Sequence, residues 1–239
     1  MNSFDAAIIS FLNGFAHRSW TFDSFVCLLH FNPLIKAGPI LGLVWWGWFK
    51  DEGESRTNNR ELLLFGVFSC FLALLVSRAV AFMLPFRVRP LGNPVLHFQL
   101  PYGMTPEHLL TWSSFPSDTA AFYFALATSL LFVSRRAGAF AFSYLTLTVF
   151  LPRIYLGIHH PTDMIVGAII GIGVAWLAKV RVIRTTVTRP ALRWQHEHSA
   201  SFYACFAILT YQMTEAFVPV LQAGSFFLTT AKAIAQLQW

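Results

Sequence analysis

The sequence predicts an all-α fold: a polytopic integral membrane helical bundle with about six transmembrane helices and an interfacial N-terminal helical segment. Three observations predict it. Hydrophobic residues make up 56% of the chain and charged residues only 12%, against about a quarter charged in a soluble domain. The apolar residues gather into runs close to the length of about 20 that a helix needs to cross the hydrocarbon core. The basic residues are shared unevenly among the segments between those runs. This composition excludes a disordered chain and argues against a soluble globule. A net charge of +6 in so apolar a chain marks cytoplasmic loops rather than a nucleic-acid surface. The bilayer is the expected partner, and nucleic acid is not.

Residues 1–31 form the interfacial segment. Apolar and polar residues alternate there at helical spacing, and Asp5, Arg18 and Asp23 argue against a crossing. No secretory signal with a small-residue cleavage site stands at the start. A membrane domain over 32–223 follows, with spans expected at 32–49, 62–84, 117–134, 137–156, 162–178 and 202–221. The first is short and carries Lys36, whose stem can snorkel; the second carries Arg78 near its far end. Gln212 and Glu215 in the last span are expected to hydrogen-bond between helices. Residues 224–239 form an outward-facing tail. Cys27, Cys70 and Cys205 lie far apart in apolar runs and are expected as buried thiols; their odd count argues against a disulfide framework.

Sidedness follows from Lys and Arg counting. The segment 50–60 holds Lys50, Arg56 and Arg60, the turn 135–136 holds Arg135 and Arg136, and 179–200 holds Lys179, Arg181, Arg184, Arg189 and Arg193. These are ten of the 17 basic residues. With six spans the three segments share one side, read as cytoplasmic. Segments 85–116 and 157–161 then face outward, and the chemistry-bearing residues gather in them.

Three outward segments matter. In Leu84-Pro85-Phe86-Arg87-Val88-Arg89-Pro90 two arginines beside prolines form a stiff cationic lip. Guanidinium donors suit phosphate oxygens, although a lip touching lipid headgroups would read the same. In Trp112-Ser113-Ser114-Phe115-Pro116-Ser117-Asp118-Thr119, Pro116 suits a first helical position with Ser114 as its N-cap. A helix start facing outward is an anion site, and a plain cap is the alternative. In the third segment, Arg153 is followed by His159-His160-Pro161-Thr162-Asp163. Pro161 marks a helix start with His160 as N-cap, and Asp163 can reach back toward His159. A carboxylate on one imidazole nitrogen frees the other to attack or to accept a proton. Together these form a phosphate pocket with a nucleophile. Arg78 is an auxiliary candidate. No spacing suggests a metal site or a cofactor.

At these residues the chain resembles the type 2 phosphatidic acid phosphatase superfamily of membrane lipid phosphate phosphatases. That family has three ordered motifs: a Lys then Arg-Pro, a Pro-Ser-Gly-His, and a Ser-Arg with His and Asp at fixed spacing. Arg89-Pro90 matches the end of the first and Pro116-Ser117 the start of the second. Arg153, His159 and Asp163 match the third with its full Arg-x5-His-x3-Asp spacing. The resemblance runs from about residue 60 to 180 and implies roles. His159 is the nucleophile that forms a phosphohistidine, Asp163 orients it, and Arg89, Arg153 and Ser117 bind phosphate.

The departures carry information too. The family Lys falls at Phe82, and Arg87 or Arg78 could replace it. The third-motif Ser is Pro152. Thr119, with Asp118 before it, stands where the family has the His that protonates the leaving group. One reading gives that task to another acid: His160, His97, Glu107 or His108. In a second, the leaving group needs no proton, as when phosphate leaves a diphosphate; this favours undecaprenyl pyrophosphate. In a third, the chain is a weak relative that only binds lipid phosphate. The resemblance thus implies a metal-independent lipid phosphate or pyrophosphate phosphatase on the periplasmic face of a bacterial inner membrane. Transfer to a sugar or lipid hydroxyl would use the same constellation. A transporter of anionic lipid is disfavoured, because the charges cluster at one surface.

Overall fold

The computed structural model describes residues 2–104 and 112–214. Among them no strand occurs, as the all-α reading expects. The chain divides into two compact units, Met1–Arg193 and Trp194–Trp239. In the first, α1 (Ser3–Asn13) and α2 (Trp20–Phe31) lead into α3 (Pro33–Phe49) and the long α4 (Gly53–Met83). An extended stretch with two short turns then reaches α5 (Asp118–Val133), α6 (Arg135–Leu145), α7 (Leu151–Tyr155) and α8 (Pro161–Trp176). Two further helices are α9 (Arg181–Glu197) and α10 (Ser199–Thr214).

Among the described residues, three helical stretches are long and apolar enough to cross a membrane: Gly53–Met83, Arg135–Tyr155 and Pro161–Lys179. A fourth is Trp20–Phe31 with Pro33–Phe49, if that pair, bent by 51°, is counted as one. This falls short of six spans. The expected third span is the 16-residue α5, which at about 1.5 Å per residue is shorter than the hydrocarbon core. The sixth extends beyond the described residues. The basic stretch 179–200, read as a loop, is the helix α9 over most of its length.

The structure does not bear out the argument from charge for an interfacial segment over residues 1–31. Both carboxylates that argued for a wet surface, Asp5 and Asp23, are fully buried. Asp23 accepts from the backbone N–H groups of His17 and Tyr102 and from the Tyr155 hydroxyl. Its charge is satisfied by the protein instead of by water. The thiols divide: Cys27 and Cys70 are buried, whereas Cys205 is exposed, outside the buried set Phe202, Phe206, Thr210 and Met213 of α10. Gln212 leaves Oε1 buried without a hydrogen-bond partner, and Glu215 lies outside the described residues.

α5 is apolar on all sides, and such a helix belongs at the centre of a bundle. It packs against α4, α6 and α8. The approach to α8 is the tightest. A Cβ on Gly167 would meet the Ser117 carbonyl oxygen at 2.2 Å, and one on Gly171 would meet the Ala121 carbonyl oxygen at 2.1 Å. Small residues four apart let two backbones meet, and this contact brings the N-termini of α5 and α8 side by side. The opposite end gathers the basic segments. Arg184 pairs with Glu61 at 3.1 Å and with Asn58 at 3.0 Å, and the Lys179 ammonium lies 4.3 Å from the Phe132 ring centroid. Between α6 and α7 the helix widens into a π-turn over Thr146–Phe150, just before Pro152. Proline has no N–H to continue the i→i−4 ladder.

Gly171→Val should therefore force α5 and α8 apart, because the clash is with backbone and no side chain can yield. Overpacking of this kind costs about 1–3 kcal/mol, read as a lowered unfolding midpoint in detergent. Gly173→Val, where nothing lies within 4 Å, should leave the midpoint close to that of the unaltered protein.

Candidate active site

The site is assembled where the starts of α5 and α8 meet the stretch 84–91. Ser117 caps α5 through its hydroxyl, which accepts from the Ala120 N–H. The helix thus begins at Asp118, two residues later than Pro116 suggests, and Ser114 is released from capping. At α8 the expected arrangement is present. His160 is the N-cap, Pro161 follows, and the Asp163 carboxylate accepts from the His160 N–H at 2.8 Å. The Ser117 N–H donates to the Asp163 backbone carbonyl at 3.0 Å, tying the two helix starts together.

His159 is placed by the turn that leaves α7. Gly157 has φ +69°, and a Cβ there would lie 2.6 Å from the Phe98 ring; only glycine tolerates both conditions. The N–H groups of Ile158 and His159 then both donate to the Arg153 carbonyl, at 3.0 and 3.2 Å. His159 Nδ1 lies 2.9 Å from the Ser114 carbonyl oxygen but 3.7 Å from Asp163 Oδ2. The carbonyl, not the carboxylate, therefore takes the hydrogen bond. A carbonyl can only accept, so Nδ1 carries the proton and Nε2 keeps its lone pair. The tautomer that the sequence reading assigned to Asp163 is fixed by a backbone oxygen, and the Asp163 carboxylate lies beyond hydrogen-bond distance of the ring.

Asp163 instead binds the surrounding segments. It accepts from the Ser114 hydroxyl, from Arg87 and from the His160 N–H, and lies 3.1 Å from His160 Nδ1. Arg87 also donates to Thr162 at 2.9 Å and to Asp5 at 2.7 Å. Asp5 in turn accepts from both the N–H and the hydroxyl of Thr162. The fork of Arg87, expected on phosphate, is thus occupied by two carboxylates and a hydroxyl. Sequence reasoning missed Asp5, Thr162 and the carbonyl of Ser114. The available signal was Asp5 itself, a charge within an apolar helix, which is a functional hypothesis by default.

Two arginines have unspent donors. Arg89 gives one nitrogen to the Ile158 carbonyl at 2.9 Å, while its Nε and the Nε of Arg153 are buried without a hydrogen-bond partner. Burial, with Arg153 and Arg78 adding like charge, pushes the Arg89 guanidinium down to about 10. His159 is pushed down to about 4, by burial first and then by Arg89 and Arg153, against the opposing pull of Asp163. Buried cations with open donors around a neutral imidazole call for an anion. Thr119 is buried and offers no acid. Asp118 is paired with Arg78, whose guanidinium lies 4.5 Å from the Trp112 ring centroid, beside a cavity of about 340 Å³ lined by Phe82, Leu84 and Phe86. Of the other acids considered, His160 is held at Asp163, His97 is exposed, and Glu107 and His108 lie outside the described residues.

Removal of Asp5 should leave Arg87 Nη2 and the Thr162 N–H unpaired. Breaking a buried pair by deleting one partner costs about 3–5 kcal/mol, so Asp5→Ala should lower the denaturation midpoint sharply and Asp5→Asn less. The His159 ring carries a pH signature as well. Unfolded, it takes up a proton near 6.5; folded, only near 4. The unfolded chain binds more protons between those values, so its contribution to stability is lost as pH falls from 6.5 toward 4. His159→Gln should flatten that part of a pH series of unfolding midpoints.

YbjG of Escherichia coli (strain K12), whose name gives it as a proposed undecaprenyl-diphosphatase, is 27% identical over 140 residues, 59% of this chain. The matched stretch is 64% of YbjG, slightly under two thirds of its length. The undecaprenyl-diphosphatase BcrC of Bacillus subtilis (strain 168) is 22% identical over 170 residues, 71% of this chain and 80% of BcrC. The crystal structure of Aquifex aeolicus LpxE shares the fold, with a TM-score of 0.51, 23% identity, and coverage of 74% of this chain and 95% of that one. A match to the PAP2 superfamily spans residues 16–186, which include Arg89, Ser117, Arg153, His159 and Asp163, and the chain belongs to that superfamily.

Proposed function

We propose that the protein is a lipid phosphate phosphatase that uses His159 as its nucleophile and prefers a diphosphate lipid such as undecaprenyl diphosphate. The observation that carries this reading is the pair of buried, unpartnered guanidinium nitrogens on Arg89 and Arg153 beside a histidine whose Nδ1 faces a carbonyl. The relatives named for undecaprenyl diphosphate support the substrate class.

Arg89 and Arg153, with the Ser117 hydroxyl, hold the reacting phosphoryl group and neutralise its oxygens. His159 Nε2 attacks phosphorus, and the bond from phosphorus to the leaving oxygen breaks with its electron pair going to that oxygen. The Ser114 carbonyl stabilises the positive charge that develops on the ring. Water then attacks phosphorus and releases His159 and phosphate. The chemistry asks nothing of a metal, because guanidinium groups supply the charge. With Thr119 in place of an acid, a leaving phosphate needs no proton, whereas an alkoxide does. The clustering of the other basic segments at the far end of the bundle supports an outward, periplasmic site in an inner membrane.

The test is phosphate release from detergent-solubilised protein, with chelator present, from undecaprenyl diphosphate and undecaprenyl phosphate. The diphosphate should be the faster substrate, and His159→Ala should lose at least about a thousandfold in rate, as nucleophile removals do. Retained activity in His159→Ala would refute the nucleophile, and a faster monophosphate would refute the substrate preference.

A further inference from the structure

α2, which ends at the break into α3, packs near the segment that leads to His159. α2 buries one face, Asp23, Val26, Cys27 and His30, and packs against α7. Asp23 takes the Tyr155 hydroxyl, and Val26 and Cys27 join Tyr155, Leu156 and Ile158 in one apolar cluster, the residues that lead to His159. His30 is the next residue on that face. It is 9% exposed, and its Nδ1 is buried with no hydrogen-bond partner. The chain then turns by 51° into α3, whose residue Lys36 lies one turn from its start. Arg153, Lys36 and His159 are the charged and titratable groups that act on the His30 ring.

An unpartnered imidazole nitrogen in a buried position calls for a specific explanation. Here its charged neighbours are cations, so an anion is the ligand that suits it. We propose that His30 and Lys36 form a subsite for a second phosphate, adjoining the one held by Arg89 and Arg153, and that it receives the leaving phosphate of a diphosphate lipid. This rests on the lipid phosphatase reading. Breaks in membrane helices are where ligand groups are bound, since the freed polar groups need partners. His30 donates a hydrogen bond to a phosphate oxygen, and Lys36 supplies a compact positive charge. When the bond between the reacting phosphorus and the bridging oxygen breaks, the electron pair stays on that oxygen. The new charge then belongs to the lipid phosphate, where His30 and Lys36 stabilise it. The subsite provides for the leaving group at a site where position 119 holds a threonine.

The test compares kcat/KM for a polyprenyl diphosphate and the matching polyprenyl monophosphate in the unaltered protein, His30→Gln, Lys36→Gln and Lys36→Arg. Both glutamine variants should lose at least about tenfold more on the diphosphate than on the monophosphate, with Lys36→Arg recovering most of the loss. A fall of equal size on both substrates, as a packing defect would give, overturns the subsite; so does no fall on either. Inhibition gives a second reading. Inorganic pyrophosphate should inhibit the unaltered protein at least about tenfold more tightly than inorganic phosphate, and His30→Gln should reduce that ratio. An unchanged ratio overturns the proposal. Absence of turnover of either lipid by the unaltered protein would instead count against the lipid phosphatase reading.

Discussion

Asp163 is fully buried, and a buried carboxylate must be met by donors from several directions. Those donors come from Ser114, Arg87 and the cap of α8, while its backbone carbonyl receives the start of α5. Three chain segments distant in sequence are thereby fixed around one charge. The Ser114 hydroxyl bonded to Asp163 and the Ser114 carbonyl bonded to His159 belong to the same residue, so satisfying the carboxylate also sets the imidazole. Asp163 thus acts on His159 through Ser114, at one remove from the contact that the family pattern suggests.

The same demand sorts the arginines. Arg87 is committed to Asp5, Asp163 and Thr162 and serves as a structural clamp. Arg78 is committed to Asp118. Arg89 and Arg153 retain buried nitrogens without partners, an arrangement that is unfavourable in isolation and is relieved by an anion. The packing of Gly167 and Gly171 against the backbone of α5 holds the two helix starts near enough for this division to matter. Asp5 lies outside the residues matched to the superfamily, so the N-terminal helix adds a brace from outside that match.

Much of this was legible in the sequence because it depends on local spacing. The cap at His160, the reach of Asp163 and the clustering of Arg153, His159 and Asp163 all follow from helix geometry over ten residues. The apolar runs located α4 and α8, and also α5, although its length falls short of a span. Contacts between distant segments were not legible. Nothing near Arg87 announces Asp5, 82 residues away, so its charge looked as available as that of Arg89. Ser114 and Ser117 both offer a capping hydroxyl, and only the path of the chain through Phe115 and Pro116 decides which one caps. The carboxylates of the first 31 residues suggested a wet surface because composition cannot reveal a buried partner.

In the proposed reaction the unprotonated Nε2 of His159, whose ring is held through Nδ1 by a backbone carbonyl and flanked by open guanidinium donors, becomes covalently attached to phosphorus. The most direct measurement is rapid alkaline quenching of the protein during turnover of a polyprenyl diphosphate carrying a labelled terminal phosphate, followed by peptide mapping. Acid-labile, alkali-stable label is expected on the peptide containing His159, with none in His159→Gln. Label on another residue, or turnover with no label on the protein, would contradict it.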